Sequence, residues 1–178
     1  MILSVVKYGS KTLRTKCQNV EVITPEIREL IQNMVETMDA AKGIGIAAPQ
    51  VGSLLRIFVL RNYIELEGGE SALSSNYQVY INSKILSCSK ETVTETEGCL
   101  SIPGIREKVV RPYQIVIEAM DLDGNRFQEE LTGYNARVRM HESDHLNGVL
   151  FIDRIAKSRR KKIDPILKAL EAKLLAES

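Results

Sequence analysis

A chain of 178 residues has the usual length of one domain with one hydrophobic core, and it can bury roughly 70% of its unfolded surface without help from disulfides or a structural metal. The formal charge of +1 hides an asymmetry, because residues 156–178 hold seven Lys or Arg against three Asp or Glu, so the basic charge is concentrated at the C-terminus. Cys17, Cys88 and Cys99 are odd in number and irregularly spaced, and no signal-like or long apolar segment accompanies them. That pattern argues against a secreted disulfide framework and for a cytoplasmic protein with free or metal-bound thiols.

Residues 24–41 carry the clearest helical pattern: Thr24 as cap, Pro25 in the first turn, and an apolar stripe of Ile27, Leu30, Ile31, Met34, Val35 and Met38, stopped at Gly43. Short β-branched runs predict strands at Arg56–Leu60, Val79–Leu86, Glu91–Thr96, Val109–Arg111, Ile115–Ala119 and Phe127–Glu130. Residues 61–78 are polar with Gly and Ser, which predicts a mobile surface loop. Asp123-Gly124-Asn125 predicts a hairpin turn. A second helix is expected from about Asn135 to Leu146, ended by Asn147-Gly148. A third, basic and amphipathic, follows Lys157 over 157–178, with Ile163, Ile166, Leu167, Leu170 and Leu174 as its stripe. Strands do not alternate with helices, so the expected class is α+β with antiparallel sheets, in one domain spanning 1–178.

The chain has two histidines, His141 and His145, four residues apart with Glu142 between them. On a helix, four residues is just over one turn, so both imidazoles project from one face and can share an ion while the carboxylate reaches water beside it. An HExxH pair supplies two ligands, whereas a catalytic site usually has three and an open position. Downstream of Gly148 the carboxylates are Asp153, Asp164, Glu171 and Glu177; Asp153 is close in sequence and Glu171 lies in the basic tail. Upstream, Cys99 in Glu97-Gly98-Cys99-Leu100-Ser101 can complete a two-histidine, one-cysteine site. A zinc endopeptidase or aminopeptidase using Glu171 as third ligand is one rival reading, and a non-enzyme, a metal-stabilised binding domain, is the other.

Three segments, Gly43-Ile44-Gly45-Ile46-Ala47-Ala48-Pro49-Gln50, Glu97-Gly98-Cys99-Leu100-Ser101 and His141-Glu142-Ser143-Asp144-His145-Leu146, resemble in order and approximate spacing the three motifs of the peptide deformylases. The resemblance extends to Tyr8-Gly9 with Leu13-Arg14 and to Gly148-Val149-Leu150-Phe151. It departs at Met140, where many relatives have Gln, and at Ser10-Lys11, where many have Asp-Pro. The family implies antiparallel sheets packed around a central metal-binding HExxH helix, flanked by N-terminal and C-terminal helices. It implies hydrolysis of the N-formyl group from the formyl-methionine of nascent polypeptides, with release of formate.

By that resemblance, Cys99, His141 and His145 hold one divalent ion, iron(II) natively, with zinc, nickel or cobalt acceptable in purified protein. Water activated by the ion attacks the formyl carbon with Glu142 as general acid and base, while the Gln50 amide and the Leu100 backbone N–H stabilise the oxyanion. Gly43, Ile44, Gly45 and Gly98 are expected to line an extended substrate, and Ile44, Tyr134 and Val138 to contact its methionine, although core packing explains each of these equally well. Arg106 is expected to contact substrate carbonyls, to pair with Glu97, or to stay in solvent. The Gly-x-Gly pattern lacks the context of a nucleotide fingerprint, so no nucleotide cofactor is expected. The run Lys157-Ser158-Arg159-Arg160-Lys161-Lys162 reads as a solvated helix face or as a dock for ribosomal RNA; some deformylases use a C-terminal helix in that way.

Overall fold

The computed structural model describes residues 1–177. Helix α1 spans Pro25–Ala40 and strand β1 spans Gly45–Ala47. Strands β2 (Ile57–Glu65), β3 (Ser71–Cys88), β4 (Thr92–Cys99), β5 (Ile102–Pro112), β6 (Gln114–Met120) and β7 (Arg126–Thr132) precede α2 (Gly133–Leu146) and α3 (Lys157–Ala176). All strand pairs are antiparallel, in a five-stranded sheet of order β1-β2-β3-β6-β7 and a two-stranded sheet of β4 and β5.

The elements form for local reasons. The Thr24 hydroxyl accepts the Ile27 N–H at the start of α1, and Ile31, Met34, Val35 and Met38 are buried at helical spacing. The helix ends one residue before the expected span: Lys42, not Gly43, adopts the positive φ, and the Gly43 N–H returns to the Met38 carbonyl. Between β6 and β7 the Asp121 side chain accepts the N–H groups of Asp123 and Asn125, and Gly124 takes φ 82°. At the end of α2, Gly148 takes φ 72°, and any Cβ there would lie 2.6 Å from the Arg14 carbonyl oxygen.

Two expectations are corrected. Residues 61–78 are not a loose loop: β2 continues through Glu65, β3 begins at Ser71, and Tyr63 faces Leu73 across the pair. The polar stretch misleads because a register shift after Arg61 breaks the alternation of sides, and because the Asn135 side chain, 72 residues away, bonds both the N–H and the C=O of Tyr63. In α3, Ile163 and Leu167 are buried while Ile166 is 49% exposed, so the apolar stripe is narrower than expected and Ile166 lies off it.

One apolar cluster joins the inner face of the large sheet to α2 through Phe58, Leu60, Tyr80, Val138 and Met140. Another fills the space between the sheet and α1. Met140, one of the departures from the family pattern, is thus a buried core residue that does not line the cleft between β1, β4, β5 and α2.

Candidate active site

A cleft of about 450 Å³ opens between β1, the β4–β5 hairpin and α2. Gly43, Ile44, Gly45, Gln50, Gly98, Cys99, Leu100, Arg106, Tyr134, Val138, His141 and Glu142 all line it, and His145 lies buried beneath. Cys99 ends β4, and Leu100-Ser101 is the two-residue turn to Ile102 on β5. Residues 103–106 have no partner on β4, and this bulge presents Ile105 and Arg106 to the cleft.

The ligand atoms of Cys99, His141 and His145 lie within 4.8 Å of one another, and Cys99 Sγ is 3.4 Å from His145 Nε2. Burial pushes the Cys99 thiol up, but the two imidazoles outweigh it and hold the group well below its usual value. Glu171 is elsewhere, packed against Gly9 in a second cleft with Tyr8 and Leu150, and Asp153 pairs with Arg14. Neither carboxylate joins the histidine pair.

Glu97 organises the other side of His141, a role the sequence reading missed. Its carboxylate is 2.8 Å from His141 Nδ1, accepts two hydrogen bonds from Arg111, and accepts a third from Arg137 at 2.6 Å. Burial opposes ionisation, but Arg111 and His141 hold the carboxyl far below the ordinary range. An ionised acceptor at Nδ1 favours a proton on that nitrogen and leaves Nε2 free to bind. The chain of charge continues from Arg111 to Asp144, which also accepts two bonds from Arg154. Arg106 does not pair with Glu97; it is exposed, and among the described residues it has no carboxylate partner.

Glu142 is buried, and its Oε2 has no hydrogen-bond partner within the protein. Burial raises its pKa, against the pull of the two histidines. A Cβ on Gly45 would lie 2.7 Å from Glu142 Oε1, so this position must be glycine for the carboxylate to sit where it does. Gln50 is oriented without ambiguity. Its Oε1 accepts the Ala47 N–H at 2.9 Å, and its Nε2 therefore points at Ser101 Oγ, 3.2 Å away, and Cys99 Sγ, 3.4 Å away. The N-terminal segment ties these parts together: the Val6 N–H donates to the Gln50 carbonyl and the Tyr8 N–H to the Ser101 carbonyl.

Strand β1 is an edge of its sheet, and the Arg61 N–H donates to the Ile44 carbonyl. In an antiparallel ladder the next residue points its N–H and C=O the other way, so Gly45 offers both to the cleft. The β1 strand itself was not foreseen, being three residues long.

The sequence profile of the family described as polypeptide deformylase matches residues 2–161. A peptide deformylase of Nitrobacter hamburgensis is 42% identical over 162 residues, covering 91% of each chain. Among solved structures, a plant peptide deformylase superposes with a TM-score of 0.88 at 36% identity, covering 99% of this chain and 92% of that one. A peptide deformylase of Ehrlichia chaffeensis in complex with actinonin gives 0.84 at 38% identity, covering 94% and 96%. The chain therefore belongs to the polypeptide deformylase family, enzymes that remove the N-formyl group from nascent peptides.

Proposed function

We propose that this deformylase holds one divalent ion on Cys99, His141 and His145, with α2 as the metal-binding helix about which the two sheets are arranged. The observation that carries the reading is the convergence of a thiol from β4 with two imidazoles from α2 beside a buried carboxylate. The donor set fits such an ion: one sulfur and two imidazoles suit iron(II) or zinc, and three protein ligands leave a position open. The negative charge gathered on Cys99 and Glu97 would favour a cation held by these three side chains. The ion supplies Lewis acidity that brings the pKa of adjacent water toward neutrality. Iron(II) is the native ion in this reading, with zinc, nickel or cobalt able to use the same ligands.

The protein's own groups do the rest. Glu142 takes the proton of the attacking water and returns it to the amine nitrogen as the C–N bond breaks, releasing formate. Its burial, with Oε2 free of protein partners, suits a group that must take and hold a proton between two steps. Gln50 Nε2 and the Leu100 N–H donate to the oxygen of the formyl group as negative charge develops there. The substrate lies beside β1 as an added strand, using the free edge at Gly45 with Gly43, Ile44 and Gly98 around it. Main-chain bonding of this kind tolerates many sequences after methionine, whose side chain enters among Ile44, Tyr134 and Val138.

The enzyme works in the cytoplasm in this reading, and α3 docks on the ribosome. Arg159 and Arg160 are engaged by Glu107, Asp153 and Asp164, while Lys157, Lys161 and Lys162 are exposed and available to phosphates. Replacing Lys157 and Lys161 by Glu is expected to abolish co-sedimentation with ribosomes, and undiminished co-sedimentation removes the docking proposal. For the chemistry, a formyl-methionyl peptide is compared with its acetyl counterpart. Formate release from the first with little reaction of the second is expected, and equal rates contradict formyl specificity.

A further inference from the structure

Arg154 stands at the surface end of the chain of charge that begins at His141. It caps the short helical turn Phe151–Asp153, three residues before α3, and lies outside the three sequence motifs. Its Nε and Nη2 donate to the two oxygens of Asp144 at 2.6 and 2.7 Å, although its side chain is 45% exposed. No step of the proposed reaction uses it.

The contacts lead inward from there. Asp144 is buried and serves two guanidiniums, its Oδ2 accepting from Arg154 and, at 3.0 Å, from Arg111 Nη1. Arg111, itself buried, turns its other edge, Nε and Nη2, onto Glu97, and Glu97 holds His141 Nδ1. One planar cation thus bridges two buried carboxylates, and its attitude depends on where both of them sit. The same stretch of chain backs His141 directly, where the Phe151 ring lies 6.1 Å from the imidazole with planes at 24°. We infer that Arg154 is a positioning residue for the metal centre, fixing through Asp144, Arg111 and Glu97 the direction in which His141 presents its Nε2. Without it, Asp144 keeps only the Arg111 bond, draws that guanidinium toward itself, and disturbs the Glu97 carboxylate that aligns the imidazole. An arginine is needed rather than any cation, because its fork meets both oxygens of Asp144 at once.

The inference rests on the Cys99, His141 and His145 ligand set proposed above, and its test separates the two. The full-length protein is loaded with zinc(II), and zinc release into an excess of chromophoric chelator is timed. Direct partners of a ligating histidine contribute about ten- to hundredfold to metal affinity; Arg154 acts through intermediaries, so Arg154→Ala is expected to speed release roughly three- to tenfold. Arg154→Lys keeps the charge without the fork, and its release is expected to fall between that of Arg154→Ala and the parent. Arg14→Ala is the control, because it takes a comparably exposed arginine from the neighbouring Asp153 without touching the path to His141, and release at the parent rate is expected. The visible absorption bands of the cobalt(II)-loaded protein report ligand geometry rather than stability, and they are expected to shift in Arg154→Ala and not in Arg14→Ala. Equal release from Arg154→Ala and Arg14→Ala, parent-like release from Arg154→Lys, or unshifted bands overturns this inference alone, so long as Cys99→Ala still loses its zinc. Zinc held as firmly by Cys99→Ala as by the parent overturns the ligand set, and the inference with it.

Discussion

Helices α2 and α3 are built on opposite plans. In α3 the chain buries two apolar residues, Ile163 and Leu167, and leaves nearly everything else in or near water. In α2 ten of fourteen residues are buried, and they include Arg137, Arg139, Glu142, Ser143, Asp144 and His145. Such a helix is costly to fold, since each buried charge forfeits its hydration and must be repaid by partners. Arg139, fully buried, spends its guanidinium on Tyr80, Asn135, Asn62 and Gln78; Arg137 spends its own on Glu97, Val93 and Val109. Helix α3 is held by its stripe and α2 by a polar network that also fixes, through Glu97, where the His141 imidazole points. Three atoms on α2 stay without partners, Glu142 Oε2, Ser143 Oγ and His145 Nδ1.

The comparison can be broken most severely at Glu97. Glu97→Ala leaves Arg111 and Arg137 buried without their shared carboxylate, and urea denaturation is expected to show a loss of about 3–5 kcal/mol. A loss under 1 kcal/mol would mean that the network is not what holds α2. Next in size, Gln50→Ala is expected to lower kcat a hundredfold or more, about 3 kcal/mol of transition-state stabilisation, with metal content unchanged. Loss of metal together with rate would reassign Gln50 to structure. On α3, Leu167→Ala is expected to cost about 2–3 kcal/mol in denaturation while the kcat of the folded fraction stays within twofold. Smallest of all, Arg159→Ala removes a pair whose arginine is half exposed, and the urea midpoint is expected to move least of these variants.

Cysteine reactivity sharpens the same contrast between interior and surface. Burial pushes the Cys17 thiol up to about 11, partly opposed by Arg56, so at pH 8 it remains protonated and shielded. Mass spectrometry after brief alkylation of the folded protein is expected to find Cys88, which is exposed, modified and Cys17 intact.

What the sequence disclosed follows the range of the interactions. The histidine pair and its glutamate were legible because helical spacing is local, and Cys99 because its motif is contiguous. Helix α1 was legible from Thr24 to Met38 for the same reason. Glu97 lay in plain view beside Cys99, yet its partners Arg111, Arg137 and His141 come from β5 and α2, and no spacing rule joins them. Tyr63 was hidden for a related reason: its strand depends on Asn135 and on a register shift, and both are tertiary facts. A signal that could have drawn notice was the pair of arginines in α2, Arg137 and Arg139, at positions where a soluble helix would bury leucine.

X-ray absorption spectroscopy on protein loaded anaerobically with iron(II) tests the central claim most directly. One sulfur and two imidazole nitrogens in the inner sphere are the predicted result, with the sulfur lost in Cys99→Ala. A shell of nitrogen and oxygen alone in the parent protein would contradict it.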